Sequence, residues 1–433
     1  MINLYNRRNF LSIGSLFLGS SFVSLPQIVK AQDSSKKHKA LINVFLAGGP
    51  PHLDLWDLKP DAPLEVRGVF NPISTNIDGI QVCEVFPNLA KRMDKCTIIR
   101  SIVGSHGDHA SYQCMTGWTP DNLKSIGGRP CIGSVIGKLQ GAVDPSVPPF
   151  IGLAESTQHA PWSDSGSGGF LGASMNPFKP SGDGLDDMIL KSEITRLNDR
   201  KNLLSKMDNI RRSIDLKQQI KSADTFTEKA FDILTDSKLL NALDLSKIDA
   251  NTMAKYGDGQ PYNFQYDGAP TNNTHLLLAK RLIEAGARVV SLSYGRWDSH
   301  GDNFGLVKDH GSKLDQCLSA LIDDLEISGL LDTTSVIVWG EFGRTPKINK
   351  DSGRDHWPQV NSALIFGGGM RHGQVIGSTN KLGEYAQDRP VHVQEIFSTL
   401  YHSLGVDTTQ TTLIDTTGRP QYLSEHPVIK ELV

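Results

Sequence analysis

The chain has 433 residues, 38% of them apolar and 21% charged, with 44 lysines and arginines set against 47 aspartates and glutamates. The resulting formal net charge of -3 excludes the strongly basic surface of a nucleic-acid-binding protein. The length exceeds that of a typical single domain but suits one large α/β core with insertions.

Residues 1–31 read as a removable export signal: Arg7-Arg8-Asn9-Phe10-Leu11, an apolar stretch through Ser12 to Leu25, then Val29-Lys30-Ala31 at the cleavage point. The paired arginines point to the twin-arginine export machinery as a partner, and so to a periplasmic or extracellular location. Serines, glycines and Pro26 interrupt the apolar stretch, so it lacks the roughly 20 uninterrupted apolar residues of a stable membrane anchor. Cleavage removes Arg7, Arg8 and Lys30 and leaves 41 basic against 47 acidic residues.

After a linker at 32–39, the α/β domain is expected to occupy 40–433. Ala40 to Ala47 is apolar apart from Asn43 and ends in Gly48-Gly49-Pro50-Pro51, the pattern of a buried strand entering a tight loop. Similar runs recur at Thr97–Val103, Val147–Leu153, Arg288–Tyr294, Ser335–Trp339 and Ser362–Phe366. Strands buried on both faces imply a covered, mostly parallel sheet. Helical periodicity appears between them at Phe86–Met93, Thr274–Ala285, His310–Ser328 and Val391–Leu404, and this alternation predicts a three-layer α/β/α sandwich. From about 184 to 256, Ile194, Leu197, Leu204, Met207, Ile210 and Ile214 recur at helical spacing among charged residues, predicting an amphipathic helical insertion that serves as a cap, a lid or a dimer surface. Cys83, Cys96, Cys114, Cys131 and Cys317 contain no Cys-x-x-Cys pair, which argues against a thiolate metal cage. One disulfide, Cys83 with Cys96, is compatible with an oxidising compartment.

Ligand sites of open α/β sheets lie beyond the carboxyl ends of the strands, and here those positions are rich in imidazole and carboxylate. Alternate residues of the extended segment Trp297–Asn303 place Asp298, His300 and Asp302 toward one centre. Glu341 stands where the strand ending at Trp339 hands over to its loop. His356 is a candidate ligand, with Asp355 as its supporting group or as a ligand from another side. His106 and His109, three apart and flanking Asp108, can share a helical face. Arg344 can fork onto an ester oxygen. Without thiolates, these groups suit a divalent ion such as zinc, manganese, calcium or magnesium.

These segments together resemble the bacterial domain-of-unknown-function family 1501, which is similar to sulfatases within the alkaline phosphatase superfamily. The resemblance is carried by Gly48-Gly49-Pro50 with Asp54 and Asp57-Leu58-Lys59-Pro60, Thr116-Gly117, Trp297 to Asn303, Gly340-Glu341-Phe342-Gly343-Arg344-Thr345-Pro346, Gly353-Arg354-Asp355-His356-Trp357 and Arg389-Pro390-Val391. It implies an alkaline phosphatase/sulfatase-like α/β/α sandwich whose metal-assisted site takes small-molecule or glycan esters of phosphate or sulfate. Taken with the strand-end reading, Asp54, Asp298, His300, Glu341, Asp355 and His356 are the expected metal ligands, and His109, Asp108 and Arg344 the expected catalytic groups. The superfamily's hydroxyl or thiol nucleophile, about ten residues before Thr-Gly, falls here on Gly107. Ser105, Ser111 or His109 is then the nearest substitute. Two readings follow: a metal-dependent ester hydrolase, or a catalytically inactive relative that binds or assembles. An open coordination position distinguishes them.

Overall fold

The computed structural model describes residues 38–154, 157, 162–180, 237–258, 260–261 and 268–433. Residues 39–433 belong to one compact unit. The export signal, and the predicted insertion as far as residue 236, lie outside the described residues.

The sheet is built on β1 (Ala40–Ala47), fully buried along its length. In chain order follow α1 (His52–Leu55), β2 (Cys96–Val103), α2 (Tyr112–Thr116), α3 (Ile132–Gln140), β3 (Phe150–Gly152), α4 (Thr274–Ala285), β4 (Val289–Arg296), α5 (Asn303–Ile327), β5 (Thr334–Trp339), β6 (Asn361–Gly367), β7 (Gln374–Ile376), β8 (Val391–His392) and α6 (Val393–Ser403). The strand order is β7-β2-β6-β5-β1-β4-β3, with β8 pairing β2 outside this path. Every pairing is parallel except the two made by β6, which runs antiparallel to both β2 and β5. The carboxyl ends of β1, β2, β4 and β5 therefore share one edge with the amino end of β6, and residues leading into β6 join those leaving the others.

Period-two alternation sorts the strand side chains into two cores. Ile42, Val44 and Leu46 of β1 and Val336 and Val338 of β5 pack with Leu276, Leu282, Leu314 and Leu318 of α4 and α5. Leu41, Phe45, Ile337 and Trp339 face the other way, onto Ile132, Ile136, Ile396 and Leu400 of α3 and α6. Each leucine-sized side chain so buried contributes about 1.5–3 kcal/mol. The result is a mixed α/β fold with a large, mostly parallel central sheet between helical layers.

Differences from the sequence reading have local causes. The helix expected at Phe86–Met93 is a 3-10 stretch at Leu89–Lys95, begun after Pro87, where the Asp315 carboxylate accepts from the backbone N–H of Asn88 and of Leu89 at 3.1 and 2.7 Å. The helix expected from His310 starts at Asn303 because the Asp302 carboxylate caps it, accepting from Gly305 N–H. At α6, His392 and Glu395 form a capping box that sets the start at Val393. The described end of the predicted insertion folds as short helices Ser237–Leu243 and Ala250–Tyr256, in contact with α4 and α5. All five cysteines are buried free thiols, so the Cys83–Cys96 disulfide is not formed.

Candidate metal centre

Four side chains from three strand-end segments meet at this edge. His109 comes from the loop after β2, Asp298 and His300 from the loop after β4, and His356 from the loop leading into β6. Each offers one ligand atom, and these atoms lie within 4.8 Å of one another. The Nε2 atoms of His109, His300 and His356 lie 3.3, 3.2 and 3.9 Å from Asp298 Oδ1. Nitrogen and oxygen ligands at about 2.0–2.1 Å from a tetrahedral ion are roughly 3.3–3.4 Å apart, which the His109 and His300 spacings match, while His356 stands farther out at 3.9 Å.

The opposite ring nitrogens are all anchored. His109 Nδ1 lies 2.8 Å from Glu341 Oε1, His300 Nδ1 lies 2.7 Å from Asp355 Oδ1, and His356 Nδ1 lies 3.2 Å from the Gly107 carbonyl. Carboxylates and a carbonyl only accept, so each Nδ1 carries a hydrogen, and in the neutral ring Nε2 is left to present a lone pair. The Nε2 atoms of His109 and His356 are buried without a hydrogen-bond partner. Buried orphan acceptors facing a carboxylate oxygen fit a cation, and imidazole Nδ1 donated to an acceptor is the usual support of a metal-binding histidine.

Charge at the centre points the same way. Burial alone would raise the Asp298 carboxyl, but the neighbouring His109 ring and the Arg344 guanidinium hold it well below the ordinary carboxylate range. Burial lowers His109, yet Asp298 and Glu341 outweigh it and raise its pKa. Burial, reinforced by His109 and Arg344, brings His356 down to about 4, so that ring is neutral near pH 7. The hydrogen bond from His300 depresses Asp355. Trp162 and Phe342 wall the His109 ring, with centroids 4.3 and 5.1 Å away. His300 and His356, 49% and 32% exposed, open the cluster to solvent.

The remaining expected residues are placed differently. Glu341 holds His109 and also accepts from the Gly48 N–H at 2.9 Å, so it supports a candidate ligand instead of joining the four. Asp355 likewise orients His300. Asp54 is not one of the four: both its oxygens are engaged by Arg354, at 2.7 and 3.0 Å, and Asn303 adds a bond at 2.8 Å. Arg344 is not available to an ester oxygen. It is fully buried, and it donates to Asp298 Oδ1 at 2.6 Å, to the Gly49 carbonyl at 2.9 Å, to the Arg354 carbonyl at 3.0 Å and to the Gly48 carbonyl. Asp108 is 81% exposed and faces His106 at 3.6 Å. His106 and His109 do not share a helical face, because α2 begins only at Tyr112. Asp302 is a helix cap, and the Ser111 hydroxyl donates to the Asp164 carbonyl at 2.6 Å. Trp162 escaped the sequence reading because nothing in its Gly- and Ser-rich surroundings marks a ring that will meet a histidine.

A mostly parallel α/β sheet carrying a three-imidazole, one-carboxylate cluster at its carboxyl edge defines the class of this protein. A family model described as "Protein of unknown function (DUF1501)" matches residues 38–433, and the chain belongs to that family. No curated protein matches it. Among solved structures, the chain is similar to the lipoteichoic acid synthase LtaP from Listeria monocytogenes, with 11% identity over 87% of this chain and 74% of that one and a TM-score of 0.38. It is also similar to the PsFucS1 sulfatase from Pseudoalteromonas sp., with 12% identity over 89% and 72% of the two chains and a TM-score of 0.37. A third similar structure is the phosphonate monoester hydrolase SpPMH from Silicibacter pomeroyi, with 10% identity over 86% and 73% and a TM-score of 0.35. Likeness at this level brings no residue role with it.

Proposed function

We propose that the protein is an exported, metal-dependent hydrolase of phosphate or sulfate esters, with His109, Asp298, His300 and His356 as the metal ligands. The observation that carries this reading is the arrangement of three anchored imidazoles with their Nε2 atoms around Asp298 Oδ1. A divalent ion held there supplies Lewis acidity to an ester oxygen and lowers the pKa of a bound water toward neutrality. The chain's own groups do the rest. Glu341, Asp355 and the Gly107 carbonyl fix the three tautomers, Arg344 neutralises part of the Asp298 charge, and Trp162 and Phe342 keep water from the inner side of His109. The partly exposed His300 and His356 leave the outer side for substrate. An ester substrate is what the resemblance of the family motifs to sulfatases implies, and export is supported by Arg7-Arg8 with the apolar stretch that follows.

The first experiment is metal analysis of protein purified from the periplasm without chelators, followed by assays on nitrophenyl phosphates and sulfates. About one equivalent of a transition metal, with turnover lost on chelation and restored by the ion, supports the hydrolase. Stoichiometric metal with no turnover on any ester favours a binding or assembly role. His356→Ala should lower metal occupancy without unfolding the chain, and unchanged occupancy removes His356 from the ligand set.

A further inference from the structure

Asp54, Arg354 and Asn303 form a buried polar knot outside the four-residue cluster: Asp54 is 1% exposed and the other two are fully buried. Two chain segments run past each other beside it. Arg354 N–H donates to the Ser299 carbonyl at 2.8 Å, Asp302 N–H to Asp351 at 3.1 Å and Asn303 N–H to Ser352 at 3.0 Å. One segment carries Asp298 and His300; the other carries His356 and Asp355, the partner of His300. Asp54, from α1, holds both: Asn303 donates to it from the first segment and the Arg354 guanidinium from the second. The other Arg354 donors go to the carbonyls of Val66, at 2.8 Å, and of Thr345 and Pro346.

A buried ion pair is weak evidence for stability, since well-packed apolar residues often do as well, so its presence here calls for another account. We infer that Asp54, acting through Arg354 and Asn303, is a positioning residue that fixes the separation of Asp298 and His300 from His356 and so sets the affinity and geometry of the metal centre. Asp54 touches none of the four ligand atoms; it acts on the two segments that hold three of them. This rests on the metal reading proposed above.

The test is a cobalt(II) titration of the chelator-stripped full-length protein, followed by its visible absorption, in Asp54→Asn, Asn303→Ala and Asp57→Asn. Asp57 is an equally buried carboxylate, bonded to Thr379 and Lys59 instead of to either segment, and so controls for the general effect of losing a buried charge. Asp54→Asn and Asn303→Ala should each weaken cobalt binding by about 10- to 100-fold, the usual effect of disturbing a metal site's outer contacts, and alter the absorption of the saturated site. Asp57→Asn should leave both unchanged. If Asp54→Asn does not fold, Asn303→Ala decides, because it removes one bond and leaves the ion pair intact. Wild-type affinity and spectrum in folded Asn303→Ala, or an equal loss in Asp57→Asn, overturns the inference. A wild-type protein that binds no cobalt overturns the metal reading instead.

Discussion

Replacing Glu341 by glutamine isolates the contribution of one charge to the proposed centre. Glu341 Oε1 accepts from both Gly48 N–H and His109 Nδ1, at 2.9 and 2.8 Å, and an amide oxygen can keep both bonds while losing the charge. An ion on His109 Nε2 would lie roughly 6–7 Å from that oxygen, where two unit charges at an effective dielectric of about 20 interact by about 2.5 kcal/mol. A divalent ion doubles this figure, and solvent on the His300 side reduces it. The expected loss is therefore about 10- to 100-fold in metal affinity, or about 1.4–2.7 kcal/mol. Glu341→Ala should add a second effect, leaving Gly48 N–H buried and unpaired at a cost of about 1–3 kcal/mol in folding stability. The assay is competition of zinc against a chromogenic chelator, with thermal melts of both metal-free variants. Wild-type zinc affinity in Glu341→Gln, together with a lowered melt in Glu341→Ala, would refute the argument and reduce Glu341 to an anchor for the Gly48 turn.

Gly48→Ala should destabilise the chain and loosen the centre together, because φ is +105° there and the new Cβ would lie 2.6 Å from the Asp298 backbone nitrogen; a melt and a metal titration check both effects. Burial depresses His52, His310 and His372, so between pH 6.5 and their lowered values the unfolded chain binds more protons than the folded one. Stability of the metal-free protein should thus be retained above about pH 6.5 and decline as pH falls below it, as urea unfolding from pH 7.5 to 5 would show; a flat profile contradicts this. The five buried thiols should react slowly with an aromatic disulfide reagent in the native protein and all titrate after unfolding without reductant. Recovery of only three thiols would reveal a disulfide.

The sheet was legible because β1 and β5 carry near-continuous apolar runs, and β4 carries apolar residues interrupted only by small serines before Gly295, a pattern set by burial on both faces. The reversed direction of β6 was not, since its run Asn361–Gly367 has the same composition as a parallel strand and direction depends on where the chain returns. At the site, strand-end position pointed to Asp298, His300 and His356 as candidate ligands and to His109 as a catalytic group, whereas the structure sets His109 within the same four-residue cluster. It could not separate a candidate ligand from its hydrogen-bond partner: Glu341 and Asp355 have the right chemistry at the right edge, yet each faces the far nitrogen of a histidine. Asp54 and Arg344 misled for a related reason. Carboxylate and guanidinium side chains beside glycine turns look free in sequence, and only the fold shows every donor and acceptor engaged.

The cluster draws on loops widely separated along the chain; His109 and the Glu341 that steadies it are 232 positions apart. The four donors come from segments far apart in the chain, so an ion bound by the proposed centre would be captured only after the sheet has closed. In that order of events, the ion would be the one available where the chain folds, and the intrinsic preference of three imidazoles and a carboxylate would operate only on what that compartment supplies.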